Sequence, residues 1–248
     1  MQNVFRKTVT VTPGDVDRYD RLTPAAMLLY VQSISGDHSS AMSLTYEALA
    51  EQGIFWAVIR NRVRIQRMPV SHEQITLEPW PMPTTRVAYP RCTVAYDAEG
   101  KELFRSVCLW VLMDLKNRTM LLPGKSGVNV EGFLRGDELE TPGSLMPKQL
   151  ENTLQRSVVY SDLDKNGHMN NTRYLTWVED LLPSAYHQGH QVKEITLCYI
   201  NEAREGQALD VTWELEESGL LHVDIHRQKP EETGGYDRVF AARLRYEK

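Results

Sequence analysis

Between Ser161 and Asn171 the chain sets two carboxylates (Asp162, Asp164), three carboxamides (Asn166, Asn170, Asn171) and one imidazole (His168) into a single short segment. An imidazole moves protons near neutral pH, a carboxamide N–H can donate to a developing oxyanion, and a carboxylate can take a proton or orient its neighbours. Asn166-Gly167 supplies a turn. Ahead of it Ser157-Val158-Val159-Tyr160 reads as a short strand, and behind it Thr172 to Leu182 reads as a helix capped by Asn170 or Asn171. A strand, a polar turn and a helix N-terminus bring donors, a base and free backbone N–H groups to one point, as oxyanion stabilisation requires. The same residue types are also ordinary turn formers, so local composition leaves a reactive turn and a plain one equally open.

The longer pattern Asp162-Leu163-Asp164-x-Asn166-x-His168-x-Asn170-Asn171-x-x-Tyr174-Leu175-x-Trp177-x-Glu179-x-x-x-Pro183 resembles the signature of the fatty acyl-acyl carrier protein thioesterases, which have a double hotdog fold. The resemblance implies hydrolysis of the acyl carrier thioester, release of free fatty acid and an end to chain elongation, with Asp164, Asn166 and His168 in the catalytic set. It also points to a base on a second segment. Ile195 to Ala203 resembles the stretch carrying the family's catalytic glutamate, and Glu202 falls at that place. Ala203 stands where many members have a cysteine, and Gly167 where the usual residue is an amide.

Thioester hydrolysis needs an activated water, an oxyanion partner and a proton donor for the leaving thiol. His168 suits proton transfer, Asn166 the donor's part, Asp164 orientation of its neighbours, and Glu202 the base. An acyl-CoA thioesterase of the wider hotdog group would instead use Asp164 as base or nucleophile, and a noncatalytic fatty-acyl binder would need none of these groups. Cys198 shares a face with Glu202 on a predicted strand and is read as packing. His187 and His190 fall in a polar loop, and His222 and His226 lie four apart on a predicted strand with no supporting ligand pattern, so no metal is expected. Neither GxSxG nor a phosphate loop is present, and no cofactor is expected.

The elements that must position these residues repeat. Aligning Asp15 with Asp162 also pairs Asp17 with Asp164, Met27 with Tyr174, Leu28 with Leu175, Tyr30 with Trp177 and Val31 with Val178. The same register sets Tyr19 against Asn166 and Arg21 against His168, so the first half keeps the turn and lacks the reactive groups. Thr23-Pro24 opens a helix predicted over Ala25 to Ser33, a Ser/Gly/His-rich loop follows, and Tyr46 to Gln52 is helical up to Gly53. Period-two patterning then predicts strands at Ile54 to Arg60, Asn61 to Arg67, Glu73 to Trp80, Arg86 to Tyr96 and Leu103 to Asp114, with a hairpin turn at Asp97 to Gly100. Two Pro-Gly steps interrupt residues 123–152, and four more strands are predicted, at Glu194 to Glu202, Ala208 to Glu216, Leu220 to Gln228 and Tyr236 to Tyr246.

The expected fold is therefore α+β: two tandem hotdog units, each an antiparallel sheet wrapped around a central helix, forming a pseudo-dimer. Residues 1–135 form the first unit, 136–152 a linker and 153–248 the second unit. The resemblance implies that the first unit houses the acyl chain and the second is catalytic. Met27, Leu28 and Val31 on the helix and Phe55, Trp56, Val58 and Ile59 on the facing sheet are the expected acyl-chain contacts. Arg60, Arg62, Arg64 and Arg67, aligned by strand alternation, and Arg173 are the candidate docking residues for the acidic carrier.

The chain has 248 residues, 42% hydrophobic and 25% charged, an ordinary globular composition. Three widely spaced cysteines without a CxxC pattern suggest reduced thiols, not a disulfide framework or zinc site. A net charge of −5 argues against nonspecific nucleic-acid binding. The longest apolar run, Ala25 to Val31, is too short to span a bilayer, so no membrane insertion is expected and the chain is read as cytoplasmic. It is expected as a monomeric pseudo-dimer or a homodimer.

Overall fold

The computed structural model describes residues 5–137, 139–228 and 234–248; Glu138, inside the expected linker, lies outside them. Contacts divide the chain into two compact units, Met1–Pro142 and Gly143–Lys248.

The first unit contains β1 (Lys7–Thr10), α1 (Pro24–Ala41), α2 (Tyr46–Glu51), β2 (Ile54–Ile65), β3 (Gln74–Pro81), β4 (Tyr89–Tyr96), β5 (Glu102–Asp114) and the short β6 (Met120–Leu121). Its antiparallel strands run in the order β1-β3-β4-β5-β2, with β6 on β5. Thr23 caps α1 by accepting from the Ala26 amide, and Pro24 occupies the first turn, where its missing N–H costs nothing. Met27, Leu28, Val31, Ile34 and Ser35 form its buried stripe. The helix runs beyond the expected Ser33 through the Ser/Gly/His-rich stretch. Burial of Ile34 and Ser35 and the anchoring of that turn by Arg91 outweigh its weak helix propensity.

The two strands expected over residues 54–67 are one strand, β2, whose register against β5 shifts between Val58 and Arg60. A bulge of this kind breaks the alternation that marks a strand in sequence. The segment after β6 packs back onto the sheet: Leu139 joins Trp80, Met82, Cys92, Val94 and Val107 in one cluster. Gly132 passes so close to β3's end that a Cβ there would lie 2.0 Å from the Met82 carbonyl oxygen, an approach open only to glycine.

The second unit contains β7 (Asn152–Ser157), α3 (Asn171–Glu179), α4 (Ser184–Gly189), β8 (Gln191–Tyr199), β9 (Ala208–Leu215), β10 (Leu220–Gln228) and β11 (Tyr236–Glu247). The antiparallel order is β8-β11-β10-β9-β7. Tyr174, Leu175, Trp177 and Val178 of α3 are buried, and Tyr174 stacks on Phe240 of β11 with ring centroids 4.7 Å apart. The strand expected at Ser157 to Tyr160 lies earlier: β7 ends at Ser157, and Tyr160–Asp162 is a single 3-10 turn, held where Asp162 Oδ2 accepts from the Val159 amide. His187 belongs to α4 and not to a loop.

The internal repeat extends to individual hydrogen bonds. Asp17 N donates to Arg21 O as Asp164 N does to His168 O (2.7 and 2.8 Å), and Thr23 N bonds Asp15 O as Asn170 N bonds Asp162 O (2.9 and 2.8 Å). Isolated bridges join Val16 to Leu22 and Leu163 to Met169. Asp20 and Gly167 occupy the matching left-handed position, at φ 58° and 75°. In the first unit Arg21 closes the loop by donating from Nε and NH2 to Asp17 Oδ2, and its guanidinium lies 4.9 Å from the Tyr19 ring.

Candidate functional site

In the second unit the turn is built by Asp164. Its Oδ1 accepts the backbone N–H of Asn166 (2.8 Å) and of His168 (3.2 Å), and Oδ2 lies 3.4 Å from Asn166 Nδ2. Gly167 N donates to Asp164 O at 3.0 Å, and its left-handed backbone turns the chain sharply enough to return His168 beside Asp164. Asn170 then caps α3, its Oδ1 accepting from the amide and hydroxyl of Thr172. The residue paired with Asp17 in the first unit thus does the same structural work here, with the side chains around it changed.

The Glu202 segment is brought to this turn by several ties. Met169 N donates to Ala203 O (2.8 Å), and His168 bridges Arg204. Tyr199 hydroxyl donates to Asn171 O (3.2 Å), and burial raises the phenol of Tyr174, which is partnered by the Ala203 backbone. Arg227 NH1 donates to Glu202 O (3.1 Å), holding the loop from the far side. As a result His168 Nε2 and Glu202 Oε2 stand 3.2 Å apart, with the imidazole mostly buried and the carboxylate 46% exposed. Asn166 is exposed on the same turn.

The four expected catalytic residues therefore lie on one turn and one loop, where the His168 side chain meets Glu202 and that of Asn166 lies against Asp164. Sequence reasoning missed Tyr174 and Arg227 as the groups that hold Glu202 in place. Their only sequence signal is a tyrosine in the helix signature and an arginine at a strand end. Glu202 lies in the loop after β8, not on the strand, so the expected shared face with Cys198 does not exist. Cys198 is buried, its Sγ 3.7 Å from the Gly143 carbonyl oxygen. Cys198→Ala should keep most of the wild-type turnover in a steady-state assay; inactivation with the fold intact would point to a thiol nucleophile in place of Glu202.

The expected acyl-chain contacts separate. A cavity of about 320 Å³ in the first unit is lined by α1 residues Gln32, Ser35, Gly36 and Ser39 together with Trp56, Tyr89, Arg91 and Trp110. Of the seven expected residues only Trp56 lines it. Met27, Leu28, Val31 and Val58 are buried core residues. Ile59 points to the other sheet face, against Ala88, Leu109 and Val111, because neighbouring strand residues face opposite ways. Phe55 lies under the Arg118 guanidinium at 4.7 Å. The cavity sits further along α1 than expected, at Gln32 near the end of the predicted helix and then in the stretch read as loop. Tyr89 and Arg91 gave no signal, since β4 is buried on both faces and a strand pattern alone does not say which of its residues face a cavity.

The arginine row is largely neutralised within its own unit. Arg62 pairs with Glu140 (3.2 Å), Arg64 with Glu102 (3.6 Å) and Arg67 with Glu73 (2.6 Å). Arg67 lies beyond the end of β2 and so outside the strand alternation. Arg173 is exposed on α3. His222 Nε2 lies 2.8 Å from Glu216 Oε1, and among the described residues no three or more His, Cys, Asp or Glu side chains gather as a metal site would require. No described helix is long and apolar enough to cross a membrane.

Antiparallel strands packed, in each unit, on a helix that follows a polar Asp-turn place the protein in the hotdog class of α+β folds. Family models agree: the acyl-ACP thioesterase N-terminal domain matches residues 2–122 and the C-terminal domain residues 146–240, and the chain belongs to the acyl-ACP thioesterase family. An acyl-ACP thioesterase from Bacteroides thetaiotaomicron has the same fold, with a TM-score of 0.86 at 23% identity over 98% of both chains. The 12:0-ACP thioesterase of Umbellularia californica superposes at 0.80 with 20% identity, over 98% of this chain and 97% of that one. In sequence, the chloroplastic palmitoyl-acyl carrier protein thioesterase of Gossypium hirsutum is 21% identical over 83% of this chain and 54% of its own length. The dodecanoyl-[acyl-carrier-protein] hydrolase of Umbellularia californica is 23% identical over 83% and 58%. The chain thus spans little more than half the length of these curated relatives.

Proposed function

We propose that the protein hydrolyses the thioester of fatty acyl-acyl carrier protein, releasing free fatty acid. The observation that carries this reading is the 3.2 Å contact of His168 with Glu202 on the turn that also carries Asn166, in a chain of the acyl-ACP thioesterase family. Glu202, the exposed member of the pair, takes a proton from the attacking water. His168, coupled to that carboxylate through Nε2, passes a proton to the departing thiolate, and the Asn166 amide donates to the oxyanion. Asp164 is a positioning residue: its oxygens are engaged by the turn's own N–H groups. That engagement favours Glu202 as base over the Asp164-based chemistry of acyl-CoA relatives. A purely binding role would leave the His168–Glu202 pair without work.

The test is thiol release on acyl-carrier and acyl-CoA thioesters with no metal or nucleotide added. Turnover on the carrier-linked substrate is expected, and none at any chain length would overturn the reading. For the carrier's approach we propose the side of α3 that exposes Arg173. We assign the acyl chain to the cavity of the first unit. Trp56→Ala should then move the preferred acyl length upward in a product profile of folded variants, since a further two carbons are worth roughly tenfold in selectivity. Met27→Ala, in the core and off the cavity, should cost about 2–5 kcal/mol of stability and leave the profile in place.

A further inference from the structure

The cavity of the first unit has a buried cation in its wall. Arg91 is 8% exposed, and its NH1 donates to the Ser35 carbonyl (3.3 Å) and His38 Nδ1 (2.8 Å), its NH2 to Ser39 Oγ (3.1 Å). All three acceptors are neutral: burial, and then the Arg91 charge, push His38 down to about 4, so its ring is uncharged at neutral pH. Burial lowers Arg91 only to about 10, which leaves it protonated. Three other buried charges in the protein have counter-ions: Glu78 has Arg135, Arg105 has Glu102, and Asp224 has Arg238. Arg91 has no carboxylate partner among the described residues, and Glu47, which also lines the cavity, is exposed and not bonded to it. A guanidinium has five N–H donors, and three serve these bonds. Leu44, Leu49, Trp56, Tyr89 and Trp110 give the cavity an apolar and aromatic side, and Gln32, Ser40, Thr45 and Glu47 add polar groups to its lining.

An uncompensated buried charge is costly unless an anion shares its site, and guanidinium with carboxylate is the strongest such match in proteins. We propose that this cavity is a carboxylate site, in which an aliphatic ligand lies along the aromatic wall and its carboxylate meets Arg91. The carboxylate has two sources. It is either the head of a free fatty acid or the far end of an acyl chain that carries a terminal carboxyl. The second source rests on the acyl-thioesterase reading above.

Binding is measured by calorimetry, which needs no turnover, so failure here is distinct from failure of the hydrolase reading. Decanoate should bind wild-type protein at least roughly tenfold tighter than decanol, the gain of one charge-assisted hydrogen bond, and Arg91→Met should erase the difference. Because Arg91 also anchors α1, Gly36→Phe provides a second variant. A Cβ at Gly36, which lines the cavity, meets nothing within 4 Å, so the ring blocks the space and should abolish binding with the melting temperature kept. Non-hydrolysable acyl-pantetheine amides ending in methyl or carboxyl separate the sources. An Arg91-dependent gain for the carboxyl-ended amide assigns the chain end, and a gain for decanoate alone assigns the free acid. Equal binding of decanoate and decanol with no gain for the carboxyl-ended amide, or binding unaffected by Gly36→Phe, overturns the proposal.

Discussion

Glu202→Gln and His168→Ala should each lower turnover on acyl-carrier thioesters by about 10²–10⁴, the usual loss when a positioned base or acid is removed. The two are 3.2 Å apart and act on the same proton path, so the double variant should be scarcely slower than the worse single one. Substrate binding should change little, because neither side chain belongs to the cavity of the first unit. Single-turnover kinetics on the three variants provides the check. Losses that multiply in the double variant would show that the residues act independently and that the contact is incidental. Asp164→Asn should be milder than Asp164→Ala, since a carboxamide oxygen can still accept from the amides of Asn166 and His168.

Asp224→Ala should destabilise the second unit by about 3–5 kcal/mol, the cost of breaking a buried pair and leaving one charge behind. Asp224, 4% exposed on β10, accepts from Arg238 Nε of β11, and Arg238 also donates to the Leu145 carbonyl. These contacts tie two adjacent strands to the segment that enters the unit. Asp224→Leu combined with Arg238→Met should recover most of the loss, because an apolar pair of similar volume requires no charge burial. Denaturant unfolding of the single and double variants measures both. A loss under about 1 kcal/mol for Asp224→Ala would mean that the pair is as weak as an exposed one.

The Asp164 turn was legible because its determinants are local. Asp164, Gly167 and Asn170 act on backbone groups within four residues of themselves, so their spacing alone specifies the loop. The repeat was legible for the same reason: Asp15 and Asp17 do in the first unit what Asp162 and Asp164 do in the second. Arg21 in place of His168 already shows in sequence that the first turn lacks the reactive groups, and the structure adds that an Arg21–Asp17 ion pair closes it.

Tertiary structure decided the rest. The meeting of Glu202 with His168 depends on Tyr174, Tyr199 and Arg227, which lie on separate elements and have no shared spacing. The length of α1 was decided by burial of Ile34 and Ser35 and by Arg91, all against local propensity. The cavity wall drew on β4, where burial of both faces leaves the strand pattern unable to mark Tyr89 and Arg91 as the cavity side, and on β2, where only Trp56 of the four expected residues lines it. Short-range hydrogen-bond patterns are written in consecutive residues. Which side chains surround a cavity depends on strand register and packing between distant segments, and those are fixed only when the chain is folded.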